Sequence, residues 1–496
     1  MSTPNANSSS NRALFLASFF TLIAAGIGFS IRGAILDDWS AAFEFDKTRL
    51  GGITGGGLQG FGFTIIVCSL FADRIGYKPL MILAFLLHMA SAVVTFAATA
   101  LYKSSGGDAA YDCLYWGALL FSLGNGVCES VINPLVATLY PKQKTHYLNI
   151  LHAGWPGGLI LGGVLALLFC GKDAYLVHLP WEVAVAFFIP PALYYGFVIF
   201  KEKFPESETK SAGIPFSTML IEFASPILLF LFVLHAMVGY VELGTDGWIQ
   251  NIMNASIGKG ATWLFIWTSG IMFALRFFAG PIVEKINPLG LLLISAVLAF
   301  IGLRGLGTEG ISGTTILLMG TVYGIGKTFF WPTMLGVVGE RFPKGGALTM
   351  GVIGGIGMLS AGYLGGPGIG YKQDYYVANE FAKAEPKLYE EYKEGEPKSF
   401  LPGLPTVAGF NGKKLEDIRA KKVEDQSPEE KKVVEGNLNS GKYALRMTAW
   451  VPAMMGAGYL LLVVYFMTKG GYKVEHITGE PDGERYTGGT AGPGEA

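Results

Sequence analysis

GNGVCESVINPLVATLYPKQKTHYLNILHAGWPGG, Gly124 to Gly158, reads as two membrane helices joined by a short basic hairpin. The first carries Glu129 inside an otherwise apolar run. A carboxylate at membrane depth costs roughly 2.5–3.5 kcal/mol even on lenient insertion scales, so it normally faces the bundle interior or a water-filled cavity. Four residues on, Asn133-Pro134 puts an amide and a helix breaker on nearly the same face. Beyond the hairpin, Asn149 and His152 sit three apart and share a face of their helix. The stretch predicts half of a polar site at the bilayer midplane, in a chain built to move a solute.

The rest of the chain fits that reading. Its 496 residues are 51% hydrophobic and only 15% charged, below the roughly 25% of soluble domains. Net charge is −1, so no basic footprint points to nucleic acid. The four cysteines, Cys68, Cys113, Cys128 and Cys170, lack metal-ligand spacing. Twelve apolar runs approach the ~20 residues a span needs: 13–36, 50–72, 79–102, 113–139, 147–170, 181–200, 226–248, 260–283, 288–306, 312–338, 345–366 and 446–468. The fold class predicted is an all-α membrane protein with twelve transmembrane helices in two pseudo-symmetric six-helix halves.

Residues 1–200 form the first half, 201–225 a cytoplasmic linker and 226–468 the second half, with 469–496 as a cytoplasmic tail. Thirteen Lys and Arg fall in the short loops of one side against six on the other, which puts both termini in the cytoplasm of a cell (inner) membrane protein. Span parity then makes the polar insertion at about 367–445 extracytoplasmic, either as a helical cap or as a solvated loop. The halves repeat weakly: FADRIGYKPLMIL after the second span parallels GPIVEKINPLGLLLI after the eighth. Internal repeats with midplane sites between them are a transporter signature.

The same depth argument selects further residues. Lys327 lies 13 residues before Glu340, ~20 Å from the cytoplasmic end, and should pair with a carboxylate or face a ligand. We expect it to share one cavity with Glu129. Arg32 either snorkels to the outer interface or turns its planar fork into the cavity. Glu242 and Asp246, four apart on the seventh span, share a face, and Glu242 lies deeper. Gln59 in the glycine-rich second span and Trp331 beside Pro332 could line the cavity, Trp331 by stacking on a sugar ring. Asp73, Arg74, Arg276 and Glu284 fall at the cytoplasmic ends of spans two and eight, where ion pairs could latch an inner gate. No nucleotide-binding loop, nucleophile–base pair or metal constellation is visible, so neither an enzyme nor a cofactor is expected.

FADRIGYKPL and the six-plus-six layout resemble the major facilitator superfamily. ESVINP followed by YLNILHAGWPGG resembles its fucose–proton symporter branch, where a fourth-span Glu precedes Asn-Pro and an Asn opens the fifth span. The resemblance makes Glu129, Asn133 and Asn149 sugar-binding or proton-linked residues. That branch carries a first-span Asp, whereas the only charge in the first span here is Arg32. The expected function is secondary active transport of a small polar solute, a sugar or sugar derivative, coupled to a proton or sodium ion. The alternatives are an organic-anion carrier or exchanger using Arg32 and Lys327, and a nutrient sensor that binds without transporting.

Overall fold

A lipid core offers backbone groups no hydrogen-bond partner, so apolar runs of span length become helices. The computed structural model describes residues 4–45, 47–170, 174–257, 260–393 and 395–477. Among these the chain is helical, and its only β-pairing is two isolated bridges, Lys393 with Phe410 and Lys398 with Val407. The first half holds α1 (Pro4–Ala34), α2 (Lys47–Ile75), α3 (Tyr77–Phe96), α4 (Gly107–Leu139), α5 (Lys144–Phe169) and α6 (Trp181–Lys201). Two short helices, Glu208–Ser211 and Phe216–Ile221, lead into the second half. There follow α7 (Pro226–Met253), α8 (Gly260–Arg276), α9 (Ala279–Leu306), α10 (Gly313–Lys327 and Phe330–Arg341), α11 (Pro343–Ala384) and α12 (Pro428–Thr468).

Among the described residues, nine of these are long and apolar enough to cross a membrane. The other three are α2, with its run of glycines, α8, at 17 residues, and α10, broken around Thr328 and Phe329. After α8 the chain turns at Phe277 and Phe278. A second break follows at Asn287, where φ is 54°, just before Pro288. Residues 279–286 therefore complete the eighth span and 288–306 form the ninth.

Small residues set the helix contacts. A Cβ on Gly26 of α1 would stand 2.6 Å from the Trp155 carbonyl oxygen of α5, so the two backbones touch directly. The halves meet where α2 packs along α11 and where α5 packs along α8 and α10. α7 and α11 each contain a π-helical turn, Tyr240–Gly244 and Ala361–Gly365, and these turns pack against each other. A Cβ on Gly244 would lie 2.7 Å from the Gly365 Cα.

The 367–445 stretch is folded. α11 and α12 run far past the spans expected at 345–366 and 446–468 and carry the insertion between them. Phe381, Leu388, Leu415, Ile418 and Val433 form a separate apolar core there, with Phe410 against Phe381 at 4.9 Å. Helix α12 starts with a capping box: Glu430 N donates to Ser427 Oγ, and Ser427 N donates to Glu430 Oε2. The bundle thus has an insertion end and, opposite it, a linker end. All four cysteines are free.

Candidate functional site

Glu129 is 6% exposed in the middle of α4. Pro134 removes a backbone donor one turn later, and the amide beside it is turned back on the carboxylate. Asn133 Nδ2 donates to Glu129 Oε2 at 2.7 Å and to the Glu129 carbonyl at 3.0 Å. His152 Nε2 on α5 donates to Asn133 Oδ1 at 2.9 Å. The network then crosses to the second half. Arg276 Nη1 donates to the His152 carbonyl at 2.6 Å, Nε to the Thr328 carbonyl at 2.7 Å, and Nη2 to Glu242 Oε1 at 3.1 Å. One continuous buried chain, Glu129, Asn133, His152, Arg276 and Glu242, thus ties α4 and α5 to α7 and α8.

Arg276 was expected at the end of the eighth span, as part of a gate with Glu284. It stands instead in the bundle interior, 1% exposed, because the break that ends the span comes about three turns later at Asn287. Its acid is Glu242, and Glu284 is exposed. The thirteen-residue depth of Lys327 does place it in the interior, but its partner is not Glu129. Lys327 Nζ donates to Asp246 Oδ1 at 2.5 Å and Oδ2 at 2.7 Å. Four residues apart on α7, Glu242 meets α8 and Asp246 meets α10.

Arg32 does not snorkel outward. It is 8% exposed and lies over the Phe121 ring at 4.0 Å and the Phe188 ring at 5.4 Å. Arg32 Nη2 donates to Ser91 Oγ and Nη1 to the Gly28 carbonyl, each at 3.3 Å, and Nε has no protein acceptor. Beside it, Tyr195 and Asn125 hold His88, with Nδ1 at 2.7 Å and Nε2 at 3.0 Å. This second polar cluster lies within the first half. Asn149 Nδ2 donates to the Thr145 carbonyl and, across the halves, to Thr333 Oγ1 at 3.2 Å. Trp331 is buried against His235, with ring centroids 4.7 Å apart. Gln59 is half-buried on α2, outside the network.

The linker end is closed by residues the sequence reading did not select. Glu340 Oε1 accepts from Thr145 Oγ1 at 2.5 Å, and Glu340 Oε2 accepts from Tyr472 Oη at 2.8 Å. Lys144 Nζ reaches Glu208 Oε2 at 2.7 Å and the Gly339 carbonyl at 3.3 Å. Asp73 lies near the start of α11, its Oδ2 3.1 Å from where a Cβ on Gly346 would stand. Its carboxylate faces Ser207, Thr209 and the Ala347 backbone without close hydrogen-bond geometry. Arg74 lies over Phe216 at 5.2 Å. His235 also went unselected, although a histidine midway along LFVLHAMVGY meets the depth test that picked out Glu129.

Two six-helix halves, joined across a buried polar chain and sealed at one end, define a helical membrane carrier. The Major Facilitator Superfamily profile matches residues 13–367, and the chain belongs to that family. Its likeness to solved structures lies in the fold. It superposes on FucP, a transporter of the same family in the outward conformation, with TM-score 0.60 at 16% identity, covering 91% of this chain and 99% of that one. The proton:xylose symporter XylE bound to 6-bromo-6-deoxy-D-glucose gives TM-score 0.64 at 15% identity, covering 93% and 96%. The human organic anion transporter TETRAN gives TM-score 0.56 at 13% identity, covering 90% and 99%. A search of curated proteins finds no match.

Proposed function

We propose that this chain is a secondary transporter of a small polar solute, a sugar or sugar derivative, that works by alternating access and is coupled to protons. The observation that carries the reading is the buried chain from Glu129 to Glu242 across the two halves. Arg276 stands between two carboxylates, bonded to Glu242 at 3.1 Å and within electrostatic reach of Glu129. A proton on Glu129 leaves Arg276 a single acid, Glu242. Loss of that proton gives Arg276 two acids to choose between, and the choice is felt in both halves at once. Protonation therefore biases how the halves meet, as coupling requires. The two cations of this region, Arg276 and Lys327, are each matched by an acid, which favours a neutral solute. Among solved proteins of the same fold, two are described as fucose:proton and proton:xylose symporters.

In this reading the protein sits in the cell membrane with both termini cytoplasmic. The linker end is then the closed cytoplasmic side, and residues 367–445 cap the outer side. Residues 1–200 and 226–468 are the two moving halves, joined by the 201–225 linker. Uptake into proteoliposomes tests it. Neutral sugars should accumulate when an inward proton gradient is imposed, and a sodium gradient alone should not drive them. Binding without flux would mark a sensor and sink the transporter reading. A second reading, transport of an organic anion, is favoured by Arg32, whose guanidinium has no carboxylate partner among the described residues. It would be recognised by accumulation of sugar acids that is lost in Arg32→Gln.

A further inference from the structure

Four polar atoms beside the central network are buried and have no hydrogen-bond partner in the protein. They are Nδ1 and Nε2 of His235, Oε2 of Glu242 and Oδ1 of Asn149. Their side chains border one region. The His235 ring lies against Trp331, and Asn149 bonds Thr333, two residues beyond Trp331 on α10. His152, one turn from Asn149, lies within electrostatic reach of His235 and offers its carbonyl to Arg276, which holds Glu242. His235 and Glu242 are themselves about two turns apart on α7. Buried polar groups are normally satisfied, and several unmet ones around one region need an explanation.

The chemistry of the four atoms is specific. A neutral imidazole offers one donor and one acceptor, while the carboxylate and amide oxygens are acceptors only. The set therefore asks for three donors and one acceptor. Arg276 spends one N–H of each nitrogen on other acceptors, and the second N–H on Nη1 and on Nη2 bonds none of the four atoms. An anion brings acceptors and would face three acceptors without compensation. Several hydroxyl groups meet the requirement, and the indole of Trp331 gives the apolar face of a pyranose ring a flat surface.

We propose that His235, Glu242 and Asn149, with Trp331 beside them, bind a neutral polyhydroxylated ligand that presents at least three hydroxyl donors, and that His235 selects its hydroxyl pattern. This rests on the transport reading above and sharpens it, since it excludes the sugar acids. Glu242 then has two tasks on its two oxygens: Oε1 holds Arg276 and Oε2 faces the ligand.

The test uses the full chain in lipid nanodiscs, with thermal shift and calorimetry. The probes are D-glucose, D-galactose, D-xylose, L-fucose, D-glucuronate and D-galacturonate. At least one neutral sugar should bind, and the uronates should bind at least tenfold more weakly. His235→Phe keeps the ring volume and should weaken that sugar tenfold or more, with the ligand-free Tm unchanged or raised. His235→Gln retains a donor and an acceptor and should stay within about threefold of the parent. A variant that fails to fold is replaced by monodeoxy analogues on the parent protein, one of which should lose tenfold. Sugar binding indifferent to His235→Phe and Asn149→Leu overturns this inference and leaves the transport reading standing. Preferential binding of a uronate overturns the donor count. Absence of binding by every probe overturns both readings.

Discussion

In the C-terminal half, Arg276 stands on Glu242 at 3.1 Å and Lys327 on Asp246 at 2.5 Å. In the N-terminal half, Glu129 rests on the amide of Asn133, and Arg32 rests on the faces of Phe121 and Phe188. Of these four charged sites, the two in one half meet an opposite charge and the two in the other rest on neutral groups. A buried ion pair resists a change in either member, because removing one charge strands the other. An acid held by an amide can gain or lose a proton without leaving a bare cation beside it. In the transport cycle proposed above, the N-terminal half would titrate and the C-terminal half would organise.

The comparison breaks first at Arg276. Arg276→Met leaves Glu242 as an unpaired buried carboxylate and the Thr328 and His152 carbonyls without their donor. It should cost about 3–5 kcal/mol in stability and abolish uptake. Arg276→Lys should not restore uptake, since an ammonium cannot reach three divergent acceptors at once. A thermal melt that stays at the parental Tm would contradict the network.

The second pair sharpens the contrast. Lys327→Met and Asp246→Leu should each destabilise strongly, and the double variant should recover most of the loss, with a coupling of about 1–3 kcal/mol in a double-mutant cycle. Additive losses would mean that the 2.5 Å contact carries no coupling. Glu129→Gln is the N-terminal counterpart. An amide still accepts from Asn133 and makes no ion pair, so the melt should move by no more than about 1 kcal/mol. Proton-driven accumulation should nevertheless vanish while sugar exchange at equal pH persists. A large loss of stability here would show that Glu129 is held by charge after all.

The smallest effect concerns the insertion. Lys421 and the Ser427 backbone hold the Glu430 carboxyl below its usual range. A depressed carboxylate contributes stability above its unfolded pKa, and that contribution is lost as pH falls through the folded value. Hydrogen exchange at the start of α12, taken relative to the intrinsic rate at each pH, should therefore speed up in mild acid. Ser427→Ala should speed it up at every pH, by a local loss of about 1 kcal/mol. The central network should not respond to Ser427→Ala.

The apolar runs made twelve spans legible, and the i, i+4 spacing placed Asn133 on the face of Glu129. Spacing along one helix gives depth and face, and it does not say which neighbour stands opposite. Spacing therefore did not reveal that Asp246 meets Lys327, nor the π turn at Tyr240–Gly244. Arg276 was misplaced for a related reason: the span end was set by composition, and the break at Asn287 sits later. The core of the insertion stayed hidden because Phe381, Leu388, Leu415, Ile418 and Val433 are scattered through polar sequence and meet only on folding.

The π turn at Tyr240–Gly244 adds one residue to a helix that would otherwise close every 3.6 residues. Deleting a single residue within it would restore a plain α-helix over the same turn, so the helix beyond would keep its azimuth and Asp246 its place on Lys327. What would change is the seam where a Cβ on Gly244 would lie 2.7 Å from the Gly365 Cα. The surplus residue is thus local slack at the meeting of two π turns, and the ion pairs on either side of it do not depend on it.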